Sequence, residues 1–143
     1  MNTLRLRLLA LPALFTLSVA ITACAAPAGG GGTAPPLRGT TWQLGADGPR
    51  AAHIRLDEKE ARLSGYGGCN RLMGRFVLEG PRLRFEGLAS TRRACVDDDD
   101  GAEDRFMTAL SGVRGWRIEG GVLKLLSEGG GTLLDLRPGK AVP

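Results

Sequence analysis

From Leu37 onward, apolar and polar residues alternate in short runs broken by glycine. Ala52, Ile54 and Leu56 alternate with His53, Arg55 and Asp57. That period of two predicts a strand with one buried face. The same alternation recurs for Ala61 and Leu63 against Arg62 and Ser64, and for Phe76 and Leu78 against Arg75 and Glu79. It recurs again for Leu83 and Phe85 against Arg82, Arg84 and Glu86. Gly80-Pro81 stands between the last two runs and predicts a hairpin. Thr40 to Leu44 is rich in β-formers and offers Trp42 as a core anchor. After Asp100 the period changes. Ala102, Phe106, Ala109, Leu110 and Val113 recur at spacings of three and four, which predicts one helix over about 101–112, stopped by Gly112 and Gly115. Strands then resume at Trp116 and Ile118, at Val122 to Leu126 and at Thr132 to Leu136, with Gly120-Gly121 and Gly129 to Gly131 as turns. Strands so closely spaced predict a mainly β (α+β) domain. Its small antiparallel sheet curls into a barrel or half-barrel, and the helix covers an open end or face.

The start of the chain follows different rules. Arg5 and Arg7 precede a long apolar run, Leu8 to Ile21, which closes on Ile21-Thr22-Ala23-Cys24. A basic start, a short apolar stretch and small residues at its end read as a secretory signal peptide over residues 1–23. Ile-Thr-Ala-Cys resembles a bacterial lipobox. The resemblance implies diacylation of Cys24, cleavage before it and acylation of the new amino group, so that the chain hangs from a membrane by lipid. An ordinary signal peptide with a coincidental cysteine is the alternative. A single myristoyl chain gives only marginal binding, at roughly 0.8 kcal/mol per buried methylene, whereas three acyl chains hold far longer. Residues 25–36, AAPAGGGGTAPP, cannot pack a core and read as a tether reaching roughly 20 Å. Ala25 stands where an inner-membrane retention signal often has aspartate, so the expected location is the outer membrane, facing the periplasm.

The formal charge of +4 includes Arg5 and Arg7, so the chain after Cys24 carries a charge nearer +2. Its basic residues are scattered through the predicted strands and form no patch with aromatic platforms. This argues against a nucleic-acid partner. Beyond Cys24 the cysteines are Cys69 and Cys95. In an oxidising compartment the pair reads as a disulfide, closing a loop of about 26 residues and contributing about 3 kcal/mol. Two separate buried thiols are the competing reading.

Several segments resemble one family. Ser64-Gly65-Tyr66-Gly67-Gly68-Cys69-Asn70 holds a Gly-Cys-Asn core, and Gly74-Arg75-Phe76 and Leu83-Arg84-Phe85 come next. Leu88-Ala89-Ser90-Thr91-Arg92-Arg93-Ala94-Cys95, then Glu103, Phe106 to Leu110 and Leu123-Lys124-Leu125, complete the pattern. In this order the motifs resemble the META/HslJ domain family of heat-shock-related bacterial envelope proteins, over residues 37–137, with 138–143 as a tail. The resemblance implies a small barrel-like domain with a helix, an envelope lipoprotein setting and a link to stress. It implies no reaction and no cofactor.

The motif residues also have a direct reading. Gly65, Gly67 and Gly68 allow positive φ or a close backbone approach in a sharp turn. Asn70 tolerates such conformations and hydrogen-bonds its own loop. Thr91 bonds in the same place, and Arg92 caps carbonyls or reaches an acid. Gly68, Asn70, Thr91 and Arg92, with Cys69 and Cys95, therefore read as a clasp particular to the fold. A recognition edge for peptide, glycan or lipid is the alternative. Other candidates carry less. His53, the single histidine, reads as an exposed surface residue, too little for a metal site or a hydrolase triad. Asp97 to Asp100 lacks the alternating spacing and distal glutamate of a calcium loop and reads as a solvated approach to the helix. Glu103 and Asp104, adjacent on a helix, read as helix-start residues that complement its dipole. Gly129 to Gly131 lacks the lysine and following helix of a phosphate loop. The expectation is a non-catalytic module with no catalytic residue and no metal, partnered by the membrane and an envelope protein. The alternative is a carrier of a small hydrophobic ligand inside the curled sheet.

Overall fold

A computed structural model describes residues 33–45, 47–48, 50–93 and 101–140. Cys24, Cys95 and the Asp97–Asp100 run lie outside them. The elements are β1 (Thr41–Leu44), β2 (His53–Leu56), β3 (Arg62–Tyr66), β4 (Arg71–Glu79), β5 (Arg82–Ser90), α1 (Ala102–Ser111), β6 (Gly115–Glu119), β7 (Val122–Leu126) and β8 (Thr132–Pro138). Each strand pairs antiparallel with the next, and β8 returns to β1 through Trp42↔Pro138, Gln43↔Arg137 and Leu44↔Leu136. The sheet thus closes in a ring. It is not a true barrel, because β5 and β6 share a single register pair, Arg82↔Gly115. Around that pair the Leu83 N–H donates to the Arg114 carbonyl at 3.2 Å and the Trp116 N–H to the Pro81 carbonyl at 3.1 Å. The Trp116 indole adds a bond to the Gly80 carbonyl at 2.9 Å. Beyond this seam β5 runs on beside α1, which also packs against β8.

The alternation explains the interior. Ile54, Leu56, Leu63, Leu83, Leu123, Leu125 and Leu136 are the inward positions of their strands, and all are fully buried together with Trp42. Phe106 and Leu110 of α1, and Val113 after it, fill the remaining space. Each such side chain contributes about 1.5–3 kcal/mol on burial. The Trp42 indole N–H, the one polar atom of that side chain, donates to the Leu37 carbonyl at 2.9 Å.

Three details differ from the sequence expectation. Gly112 caps the helix, its N–H reaching the carbonyls of Thr108 and Ala109, but Gly115 does not stop it and instead opens β6. The β5 strand extends past Glu86 to Ser90. A bulge hides this continuation in the sequence. Arg75 faces Glu86 while Met73 faces Ala89, so one extra residue on β5 breaks the alternation. Gly65 lies in β3 rather than in a turn. Gly65 is needed there for close approach, since a Cβ would collide with the His53 carbonyl oxygen of the neighbouring strand.

Candidate functional site

The buried polar groups of the motif residues gather where the β3–β4 turn meets the end of β5 and the start of α1. The turn itself, residues 67–70, is closed by the Gly67 N–H donating to the Asn70 carbonyl at 2.8 Å. Gly68 sits at φ +112, a conformation that L side chains rarely adopt. Gly67 answers a different need. A Cβ there would fall 2.6 Å from Glu103 Cγ, so a side chain would displace the carboxylate.

Glu103, only 7% exposed, reaches across from α1. Its Oε2 accepts the Asn70 N–H at 2.8 Å and the Cys69 N–H at 3.3 Å. Asn70, also 7% exposed, ties the turn to the segment that follows β5 on its other side. Its Oδ1 accepts the Thr91 hydroxyl at 2.9 Å and the Arg93 N–H at 2.8 Å. The Arg93 amide can only donate, which fixes the Asn70 side-chain oxygen on that side. Thr91 and Arg71 complete the joint. The Thr91 N–H donates to the Arg71 carbonyl at 3.1 Å, and the Arg71 N–H to Thr91 Oγ1 at 3.2 Å. Among the described residues no buried side-chain nitrogen or oxygen lacks a partner. A buried carboxylate and amide, fully engaged, fasten three segments of chain to one another. An unpaired buried group would cost about 1–3 kcal/mol, which is why such a network forms whole or not at all.

The structure brings together Gly68, Asn70 and Thr91 of the expected clasp. Cys69 is disulfide-bonded, and Cys95, the expected partner, lies outside the described residues, as does the lipid site Cys24. Two roles shift. Asn70 has a negative φ and its side chain bonds to the segment just after β5, not to its own loop. Arg92 is exposed, and it is the backbone of its neighbour Arg93 that joins the clasp, through Asn70. The residue missed as a member is Glu103. It does stand in the first turn of α1, as a helix-start acid should. The signal of its further role was its position: three and seven residues before Phe106 and Leu110, it lies on the apolar stripe. His53 is half-buried rather than exposed. Its Nδ1 is 3.0 Å from the Ala51 carbonyl, and its ring lies 6.1 Å from that of Tyr66. Among the described residues no three His, Cys, Asp or Glu side chains are placed to hold a metal ion.

A comparison with curated proteins found no match. Among solved structures, a protein from Burkholderia xenovorans determined by NMR is similar in fold. It has a TM-score of 0.59 and 24% identity, covering 73% of this chain and 85% of that one. The META domain family matches residues 35–139, a span that takes in the whole ring, the helix and the buried clasp, and the chain belongs to that family.

Proposed function

We propose that the chain is an envelope lipoprotein, anchored through Cys24 and carrying its META domain on the tether of residues 25–36. In this reading the domain is a non-catalytic binding or structural module that serves the envelope under heat or other stress. The observation that carries it is the order of residues 1–24: a basic start, an apolar run and Ile-Thr-Ala-Cys where the run stops. The disulfide at Cys69 supports it, since such bonds persist in oxidising compartments and are rare in the cytosol. The clasp supports a structural role for the motif residues, because their polar atoms are spent on one another. The filled ring interior argues against a carrier that holds its ligand inside.

Labelled palmitate tests the anchor. The wild type takes up label and partitions with the outer membrane, and Cys24→Ala does neither. Equal labelling of both, or full-length chain in the cytosol, overturns the reading. In-cell crosslinking under heat stress, with Cys24→Ala as control, then reports the envelope partner.

A further inference from the structure

The ring's single-pair seam carries a groove on its outer face. It encloses about 540 Å³, within the range of small-ligand sites. Gly115 makes the opening. It faces Arg82 across the seam, and with no side chain there the sheet surface is left bare between β5 and β7. A Cβ at that position would approach the Pro81 carbonyl oxygen to 3.3 Å and Leu126 Cβ to 3.7 Å, so the backbone contact that closes the ring also keeps the groove clear.

The lining is amphipathic. Val77 and Leu126 give it an apolar floor, and Arg82, Arg84 and Arg114 supply three guanidinium groups. Arg84 is paired with Glu86 at 2.9 Å, outside the groove. Arg114 uses Nη1 on the carbonyls of Ser111 and Val113, which orients its planar head without neutralising it. Neither Arg82 nor Arg114 has a carboxylate within ion-pair distance among the described residues. Glu79 and Glu128 also line the groove and Glu86 is held on Arg84, so acidic and basic groups balance around it, and Arg82 and Arg114 are the two lining guanidiniums without an ion pair among the described residues. Two unpaired guanidiniums in a surround that is otherwise neutral suit a singly charged anion better than a doubly charged one. Arginine is the residue of choice for phosphate oxygens, which it meets with paired N–H donors.

We infer that this groove binds the phosphodiester of an amphiphile, the phosphate among Arg82, Arg84 and Arg114 and an adjoining apolar portion over Val77 and Leu126. The chemistry is that of a phospholipid headgroup. It rests on the groove alone and is independent of whether Cys24 is acylated.

Backbone-amide NMR of the full chain tests it, with submicellar dihexanoyl phosphatidylglycerol as the probe. Saturable shifts at Val77, Arg82 to Arg84, Gly115 and Leu126 to Glu128 are expected. Arg82→Gln combined with Arg114→Gln should weaken the response at least tenfold, with Tm lowered by no more than a few degrees for the loss of the Arg114 bonds to the Ser111 and Val113 carbonyls. Arg82→Gln alone, which touches no structural bond, should weaken it at least threefold. Inorganic phosphate at the same concentration should move these amides little. An equal response to phosphate alone, shifts centred elsewhere or an unaltered response in both variants would each overturn the inference.

Discussion

The clasp and the seam solve one problem in opposite ways. At both places the ladder of the sheet runs out, at the β3–β4 turn in one case and between β5 and β6 in the other. At the clasp, side chains from distant parts of the chain enter the gap and are buried there. Glu103 binds two backbone N–H groups, and Asn70 holds the Thr91 hydroxyl and the Arg93 amide. At the seam, backbone contacts and one indole bond hold the edges together, and the surrounding arginines remain in solvent. The same polar chemistry therefore carries different weight. A lost partner at the clasp leaves a buried orphan, while a lost side chain at the seam is replaced by water.

Glu103→Ala should separate the two regions most sharply. It leaves the Cys69 and Asn70 N–H groups without their acceptor and should cost about 2–4 kcal/mol in urea unfolding. A loss below about 1 kcal/mol would mean that the clasp is no more demanding than the seam. Asn70→Ala follows at about 2 kcal/mol, since two donors lose one oxygen. Combined with Cys69→Ser, it also tests what the motif is for. A large fall in Tm marks a clasp, and unchanged stability with a lost cellular phenotype marks a recognition edge. Trp116→Phe removes the indole bond to Gly80 and part of a ring packed against the core, and should cost about 1–2 kcal/mol, read from the same denaturation curves.

The smallest effect lies outside both regions. Asp57 Oδ1 accepts the N–H groups of Lys59 and Glu60, each at 2.8 Å. These bonds, with Arg38 and Arg62 nearby, hold its carboxyl below the usual range. The charged form is thus favoured by folding. Its contribution is present above the unfolded-state value and disappears as pH falls through the lowered, folded-state value. Asp57→Asn should therefore flatten the acid limb of a stability–pH profile by lowering stability slightly at neutral pH, with the two curves meeting below the folded-state value. A profile identical to wild type would remove Asp57 from the acid response.

Strand faces were legible because each is written locally: Ile54 and Leu56, or Leu123 and Leu125, declare an inner face within three residues. The Gly80-Pro81 hairpin was legible for the same reason. The bulge on β5 was not, because an extra residue destroys the period by which strands are recognised. Glu103 shows another limit. A carboxylate in the first turn of a helix is satisfied by the dipole alone, so nothing nearby demands a partner. Its actual partners stand 33 and 34 positions earlier in the chain. The seam was equally hidden, since the inserted helix does not reveal how far β5 and β6 pair on either side of it.

Ring closure has a mechanical corollary. Strand β1 is flanked by β2 on one side and β8 on the other, and the Gly139 amide adds a bond to the Thr41 carbonyl. The first strand therefore has no free edge from which it can be peeled: releasing it means breaking two short ladders rather than one.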